Sequence, residues 1–313
     1  DLVNWETVSY VFDKLTDTPK YDMIDGTVYG RGQWASSIRY HNGKFYVYFS
    51  PNDVPYRGYI YSTTDPEIEK WELVSRPPHF HDASLLFDDD GRVYMFYGTG
   101  ELRELNTDLS DAKVGGIDQK IFERDSSETQ LLEGTHVLKK DGKYYVFMSS
   151  RVYGVPGIMR GEVCYRADHI TGPYEKEVIL ETELEEYGGV GQGFIVDTPE
   201  GDWYGFIFQD RGGIGRVPIL MPCRWIDGWP MLGNEDGSIS KTYEKELSNE
   251  YTNGIVGSDN FDSERLSLYW QWNHNPVNEQ WSLTDRPGFL RLKTARVVEN
   301  LYKAINTITQ RME

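Results

Sequence analysis

The stretch Ile38-Arg39-Tyr40-His41-Asn42-Gly43-Lys44-Phe45-Tyr46-Val47-Tyr48-Phe49 decides the fold. Aromatic and aliphatic residues flank a two-residue Asn-Gly step. That step favours a type I′ turn, whose two central residues need positive φ, and it predicts a β-hairpin. The same plan returns three times. Leu85 to Tyr97 turns at Asp90-Gly91, His136 to Met148 at Asp141-Gly142, and Phe194 to Phe208 at Glu200-Gly201. The repeat length is about 50 residues, which is the size of a four-stranded propeller blade.

A second element recurs between the hairpins: Thr64-Asp65-Pro66 to Lys70-Trp71-Glu72, Thr107-Asp108-Leu109, and Ala167-Asp168 to Pro173-Tyr174-Glu175. It is expected to be the outer strand of each unit. Asp1-Leu2-Val3-Asn4-Trp5-Glu6 matches this element with no hairpin before it, so the chain is expected to enter in the last strand of a blade. Four hairpins plus that strand predict an all-β, five-bladed β-propeller with an incomplete first blade, over residues 1–256. After Gly257 the composition changes. Trp270, Trp272, Trp281 and the Leu290-Arg291-Leu292 strand predict the beginning of a C-terminal β-sandwich over residues 257–313.

Composition narrows the function. A net charge of −18 over 313 residues repels phosphate and argues against nucleic acid as a partner. The 22 Tyr and 9 Trp suit strands and also suit the flat faces of sugars. Cys164 and Cys223 form neither a disulfide framework nor a CxxC metal site. No apolar run reaches the roughly 18 residues of a membrane span. The first residue is Asp1, so a missing leader says nothing about compartment.

Propellers build sites where the innermost strands begin. Those starts read Trp34-Ala35-Ser36, His81-Asp82-Ala83-Ser84, Leu132-Glu133-Gly134-Thr135 and Gly191-Gln192-Gly193. Asp82 and Glu133 therefore occupy equivalent positions in successive blades and should converge on the axis. Glycoside hydrolysis needs one carboxylic acid to protonate the departing oxygen and a second carboxylate to activate water or to attack. Converging carboxylates also raise one another's pKa, which keeps one of them protonated. The competing reading makes both residues solvated loop acids in a chain with 50 of them. Trp34 is either a stacking platform for a sugar ring or a wedge between blades. Arg216 is either a clamp for a hydroxyl or carboxylate or an ordinary surface arginine. Asp88, Asp89 and Asp90 read as turn residues.

At these residues the chain resembles glycoside hydrolase family 43, β-xylosidase and α-L-arabinofuranosidase type. Asp1-Leu2-Val3-Asn4-Trp5-Glu6, Trp34-Ala35-Ser36-Ser37-Ile38-Arg39-Tyr40, His81-Asp82-Ala83-Ser84-Leu85, Leu132-Glu133-Gly134-Thr135-His136 and Gly191-Gln192-Gly193 to Pro199 carry the likeness. So do Gly215 to Gly233 and, for the appended sandwich, Phe261 to Leu292. The resemblance implies an inverting hydrolase that removes terminal β-D-xylose or α-L-arabinofuranose from plant hemicellulose. Glu133 is then the general acid and Asp82 the modulator of its pKa. Trp34, Gln192 and Arg216 are then substrate-binding residues.

Three departures accompany the likeness. The family's general base is an Asp of the first innermost strand, which is expected upstream of Asp1, so the fragment by itself is expected to be inactive or nearly so. The family's axial His, associated with a central calcium, is Gln192 here, which weakens the case for the metal; no other cofactor is implied. Two motif prolines are replaced by Ala83 and Thr135. The rival readings are an exo-α-1,5-L-arabinanase and a carbohydrate-binding propeller without catalysis.

Overall fold

The computed structural model describes residues 2, 4–52, 56–68, 70–124, 126, 128–152, 160–244 and 254–311. Four antiparallel four-stranded sheets follow one another along the chain. Blade 1 comprises β1 (Gln33–His41), β2 (Lys44–Pro51), β3 (Tyr59–Thr63) and β4 (Glu72–Ser75). Blade 2 comprises β5 (Ser84–Phe87), β6 (Val93–Tyr97), β7 (Glu101–Leu105) and β8 (Asp118–Lys120). Blade 3 is built from β9 (Glu128–Lys140), β10 (Lys143–Val152), β11 (Gly161–Ala167) and β12 (Glu175–Leu180). Blade 4 is built from β13 (Gly193–Asp197), β14 (Trp203–Asp210), β15 (Arg216–Ile226) and β16 (Trp229–Leu232). Each sheet is ordered as its strands run in sequence, the meander of a propeller blade.

The expected count of five blades is corrected to four. Asp1-Leu2-Val3-Asn4-Trp5-Glu6 carries outer-strand residues, but its described residues lie in no strand. A strand exists only as part of a sheet, and no sheet of the described residues includes this segment. The recurrent Asp-containing segments are corrected as well. They form the turns that lead into the outer strands, not those strands. Asp65 Oδ1 accepts from the Glu67 N–H at 2.9 Å, and Asp108 Oδ1 from the Ser110 N–H at 3.0 Å. Side-chain capping of this kind favours a turn over a ladder.

The four expected hairpins are present as β1–β2, β5–β6, β9–β10 and β13–β14. Asn42-Gly43 and Asp141-Gly142 have positive φ at both residues, as type I′ turns require. At Asp90-Gly91 and Glu200-Gly201 only the glycine is left-handed, and it closes a turn within a longer loop: Gly91 N–H donates to Asp88 O, and Gly201 N–H to Thr198 O.

The blades pack through their apolar faces. Tyr48, Ile60, Leu85 and Met95 bury the seam between blades 1 and 2. Tyr94, Phe96, Val146 and Met148 bury the next, and Phe147, Ile195, Ile207 and Met221 the last. Both cysteines are free and buried in the apolar interior. Near the axis, Arg39 ties three blades together. Its Nη2 donates to Ser84 Oγ at 2.5 Å and to Val137 O at 2.9 Å, and Val137 N–H in turn donates to Ser84 Oγ. His136 stacks on Phe194 of blade 4 with ring centroids 5.2 Å apart. Burial pulls the Arg39 guanidinium down to about 10. Burial, reinforced by Arg39, holds the His136 imidazole well below its ordinary value and therefore neutral.

Two compact units divide the chain. The blades, from Gln33–Ser62 and Leu73–Lys245, form one, and Asp1–Gly32, Thr63–Glu72 and Glu246–Glu313 form the other. In the second unit, β17 (Gln271–Trp272), β18 (Trp281–Ser282), β19 (Arg291–Leu292) and β20 (Ile308–Thr309) pair as β17–β20 and β18–β19. Arg296 Nη1 donates to Met23 O at 3.1 Å, and Asn275 Nδ2 to Leu15 O at 2.7 Å, so the first residues pack with the last within this unit. No helix among the described residues is long and apolar enough to cross a membrane.

Candidate active site

Asp82 precedes β5 by two residues and sits at φ 46°, in the left-handed region. Its side chain is buried, and Oδ2 accepts from the Gly134 N–H at 3.2 Å. This bond fastens the entry of blade 2 to the residue that follows Glu133 in blade 3. Glu133 lies inside β9, not at its head. Between the Phe147–His136 and Ser149–Glu133 pairs, β9 has one more residue than β10, a bulge that re-aims the side chain. Trp34 lies at a similar irregularity of β1, between Gln33 and Ser36.

The result is a cluster. One ligand atom each of His81, Asp82 and Glu133 lies within 4.8 Å of the other two. Trp34 stands beside it, 44% exposed, with its ring centroid 6.2 Å from that of His81. On the other side, Arg160 Nη1 approaches both Glu133 Oε1 and Gln192 Oε1 at 3.5 Å. Arg160 Nε lies 3.5 Å from Asp210, whose other oxygen meets Arg216 Nε at 3.3 Å. Both guanidiniums cover the Phe208 ring, at 5.2 Å for Arg160 and 4.5 Å for Arg216. Both arginines thus make cation–π contacts with the same aromatic ring. All five residues singled out from the sequence fall on this wall. Trp34 connects to the carboxylates through His81, and Arg216 connects through Asp210 and Arg160.

Arg160, Asp210 and Glu162 were not singled out from the sequence. Glu162 is fully buried in β11, and its Oε2 accepts from the Gln192 N–H at 2.6 Å. Burial pushes its carboxyl up to about 8, against the pull of the Gln192 and Gly193 N–H groups and of Arg160. Its one sequence signal is an acid inside the apolar run Val163-Cys164-Tyr165 that it opens. Asp210 and Arg216 pair directly across β14 and β15, a register that no single strand reveals.

A calcium ion does not fit at Gln192. A hard cation needs six to eight oxygen ligands. The amide oxygen of Gln192 instead faces the Arg160 guanidinium, and the Gln192 side chain rests on Gly134.

A β-propeller that sets a carboxylate pair beside a tryptophan face and two arginines has the plan of a carbohydrate-handling protein. The sequence profile of Glycosyl hydrolases family 43 matches residues 1–230, and that of the Beta xylosidase C-terminal Concanavalin A-like domain matches residues 258–313. The chain belongs to glycoside hydrolase family 43. It is 33% identical to a putative beta-xylosidase of Xylanibacter ruminicola, over 100% of this chain and 59% of that protein. It is 28% identical to a non-reducing end alpha-L-arabinofuranosidase of Bacteroides ovatus, over 94% of this chain and 57% of that one. Among solved structures, a bifunctional protein of Bacteroides eggerthii superposes with a TM-score of 0.89 at 40% identity, covering 99% of this chain and 40% of its own. The chain thus spans less than two thirds of the length of each of these proteins.

Proposed function

We propose that this chain is the body of a glycosidase that removes terminal β-D-xylose or α-L-arabinofuranose from plant hemicellulose by single displacement with inversion. Glu133 protonates the departing glycosidic oxygen. Asp82 orients Glu133 and tunes it electrostatically. Trp34 offers a stacking face, and Gln192 and Arg216 bind the sugar hydroxyls. None of the residues placed at this site is assigned as the general base, and no cofactor is assigned to the reaction. The four blades, within residues 33–245, form the catalytic propeller, and residues 257–313 begin the accessory sandwich; the start of the concanavalin A-like profile at residue 258 supports the second boundary.

One observation carries the reading: Asp82 and Glu133, from two adjacent blades, have oxygens within 4.8 Å of each other. That is too close for the roughly 6.5–9.5 Å that an inverting acid and base need to admit a water. Asp82 therefore serves Glu133 and does not act as its base. Its burial and its bond to the Gly134 N–H keep it from facing a sugar as a nucleophile.

The test is pentose release by the native protein from xylobiose, arabinobiose and aryl pentosides. Glu133→Gln should lower kcat on xylobiose by about 100- to 10,000-fold. Undiminished turnover in that variant, or none in the native protein, overturns the reading. Release from arabinobiose alone would identify an exo-arabinanase. A product that retains the anomeric configuration of its substrate would refute single displacement.

A further inference from the structure

Gln192 is held in a conformation that an L-residue resists. Its φ is 69°, and such left-handed strain persists only where the surroundings over-determine it. Three constraints converge on it. Gly191 N–H donates to Phe208 O at 3.1 Å, Phe208 N–H donates to Gln192 O at 3.3 Å, and Gln192 N–H donates to Glu162 Oε2 at 2.6 Å. A Cβ at Gly193 would strike Phe206 O, and one at Gly191 would stand 2.7 Å from Gly161 O, so the backbone runs tight against its neighbours on both sides. The Gln192 side chain is thereby laid on Gly134, where a Cβ would collide with Gln192 Cγ. Gly134 follows Glu133 directly, and Arg160 touches both Gln192 and Glu133.

Register adds a second link. Ser149 pairs with Glu133 on one side and with Glu162 on the other. Glu133, Ser149 and Glu162 therefore form one row of side chains on one face of three strands. Ser149 and Glu162 are fully buried, and Ser149 Oγ and Glu162 Oε1 have no hydrogen-bond partner among the described residues. A buried carboxyl with one oxygen left unpartnered is costly, and packing alone does not call for one.

We propose that Glu162 is a positioning residue of the hydrolytic site, which pins the Gln192 backbone so that Gln192 and Arg160 fix the Glu133 carboxyl in its working direction. The inference rests on Glu133 being the proton donor. Glu162 touches no substrate and transfers no proton to it. Its neutral form suffices, because the raised carboxyl matches a group that accepts from the Gln192 N–H with one oxygen.

The experiment compares Glu162→Ala, Glu162→Asp and Glu162→Gln in the native protein, with kcat and KM measured separately on xylobiose. Glu162→Ala and the shortened Glu162→Asp should lower kcat by about 10- to 100-fold with little change in KM, as expected for a displaced catalytic group. Glu162→Gln keeps the acceptor and the shape and should restore kcat. In a Gln192→Ala background, Glu162→Ala should cost little more, since both act through one link. Normal kcat in a folded Glu162→Ala or Glu162→Asp protein overturns the proposal, as does strict additivity with Gln192→Ala. Glu162→Asp guards against the alanine variant failing to fold. If the native protein releases no pentose, the hydrolase reading falls by itself. The positioning role is then judged on crystal structures of the variants, where a Gln192 backbone that keeps its left-handed φ without the Glu162 contact overturns it.

Discussion

Glu162 also sets a pH dependence of stability. A carboxyl has an ordinary value of 4.5, and burial raises this one to about 8 in the folded protein. Between those two pH values the folded state holds a proton that the unfolded state has released. The stabilising contribution is therefore complete below about pH 4.5 and is lost progressively as pH rises through about 8. Glu162→Gln cannot release that proton. Its unfolding free energy relative to wild type should rise steadily from pH 5 to pH 8, by an amount on the order of a few kcal/mol at the top of the range. Chemical denaturation at a series of pH values measures it, and a constant difference would show that Glu162 is ionised in the folded chain. Glu133 and Asp82 were legible as a pair because each opens a repeat at the same place. Glu162 was not, since nothing in a strand such as Gly161-Glu162-Val163-Cys164-Tyr165 says which neighbour its carboxyl will meet.

At the scale of elements, glycines in similar sequence settings do different work. Gly142 turns the β9–β10 hairpin at φ 77° in open space, so Gly142→Ala meets only conformational strain, about 1–2 kcal/mol. Gly193 begins β13 against the Phe206 carbonyl, so Gly193→Ala must force β13 from β14 and should cost far more. Thermal melting of the two variants separates the cases, and equal losses would contradict the close approach. The hairpins themselves were readable from Asn42-Gly43 and Asp141-Gly142, because a type I′ turn is local chemistry. The outer strands were misplaced by the same local reasoning. Aspartates at 65 and 108 cap turns, and the strands Glu72–Ser75 and Asp118–Lys120 that follow have no pattern of their own.

At the scale of the molecule, apolar seams among the described residues join blades 1 and 2, 2 and 3, and 3 and 4, with no such seam between blades 4 and 1. On blade 1 the innermost strand shows Ile38 at 52% and Tyr40 at 66% exposure. On blade 4, Leu220 of β15 is only half-buried. Apolar faces of this kind promote association. Residues 1–313 alone should self-associate with rising concentration, and the double variant Ile38→Lys/Tyr40→Lys should do so less. Sedimentation velocity across a range of concentrations tests this, and identical behaviour of the two proteins would exclude the β1 face as the cause.

The sequence by itself determined the blade unit, its four repeats, the carboxylate pair Asp82 and Glu133, and the family that these motifs mark. All of these follow from local turn chemistry and from position within a repeat. Only the tertiary structure decided that the described residues form four blades, not five, because a strand exists only as part of a sheet. Tertiary structure also brought Arg160, Asp210 and Glu162 to the site. Arg160 directly precedes the third strand of blade 3, Glu162 lies in that strand, and Asp210 ends the second strand of blade 4; their meeting depends on strand register and blade packing, which no stretch of sequence encodes alone.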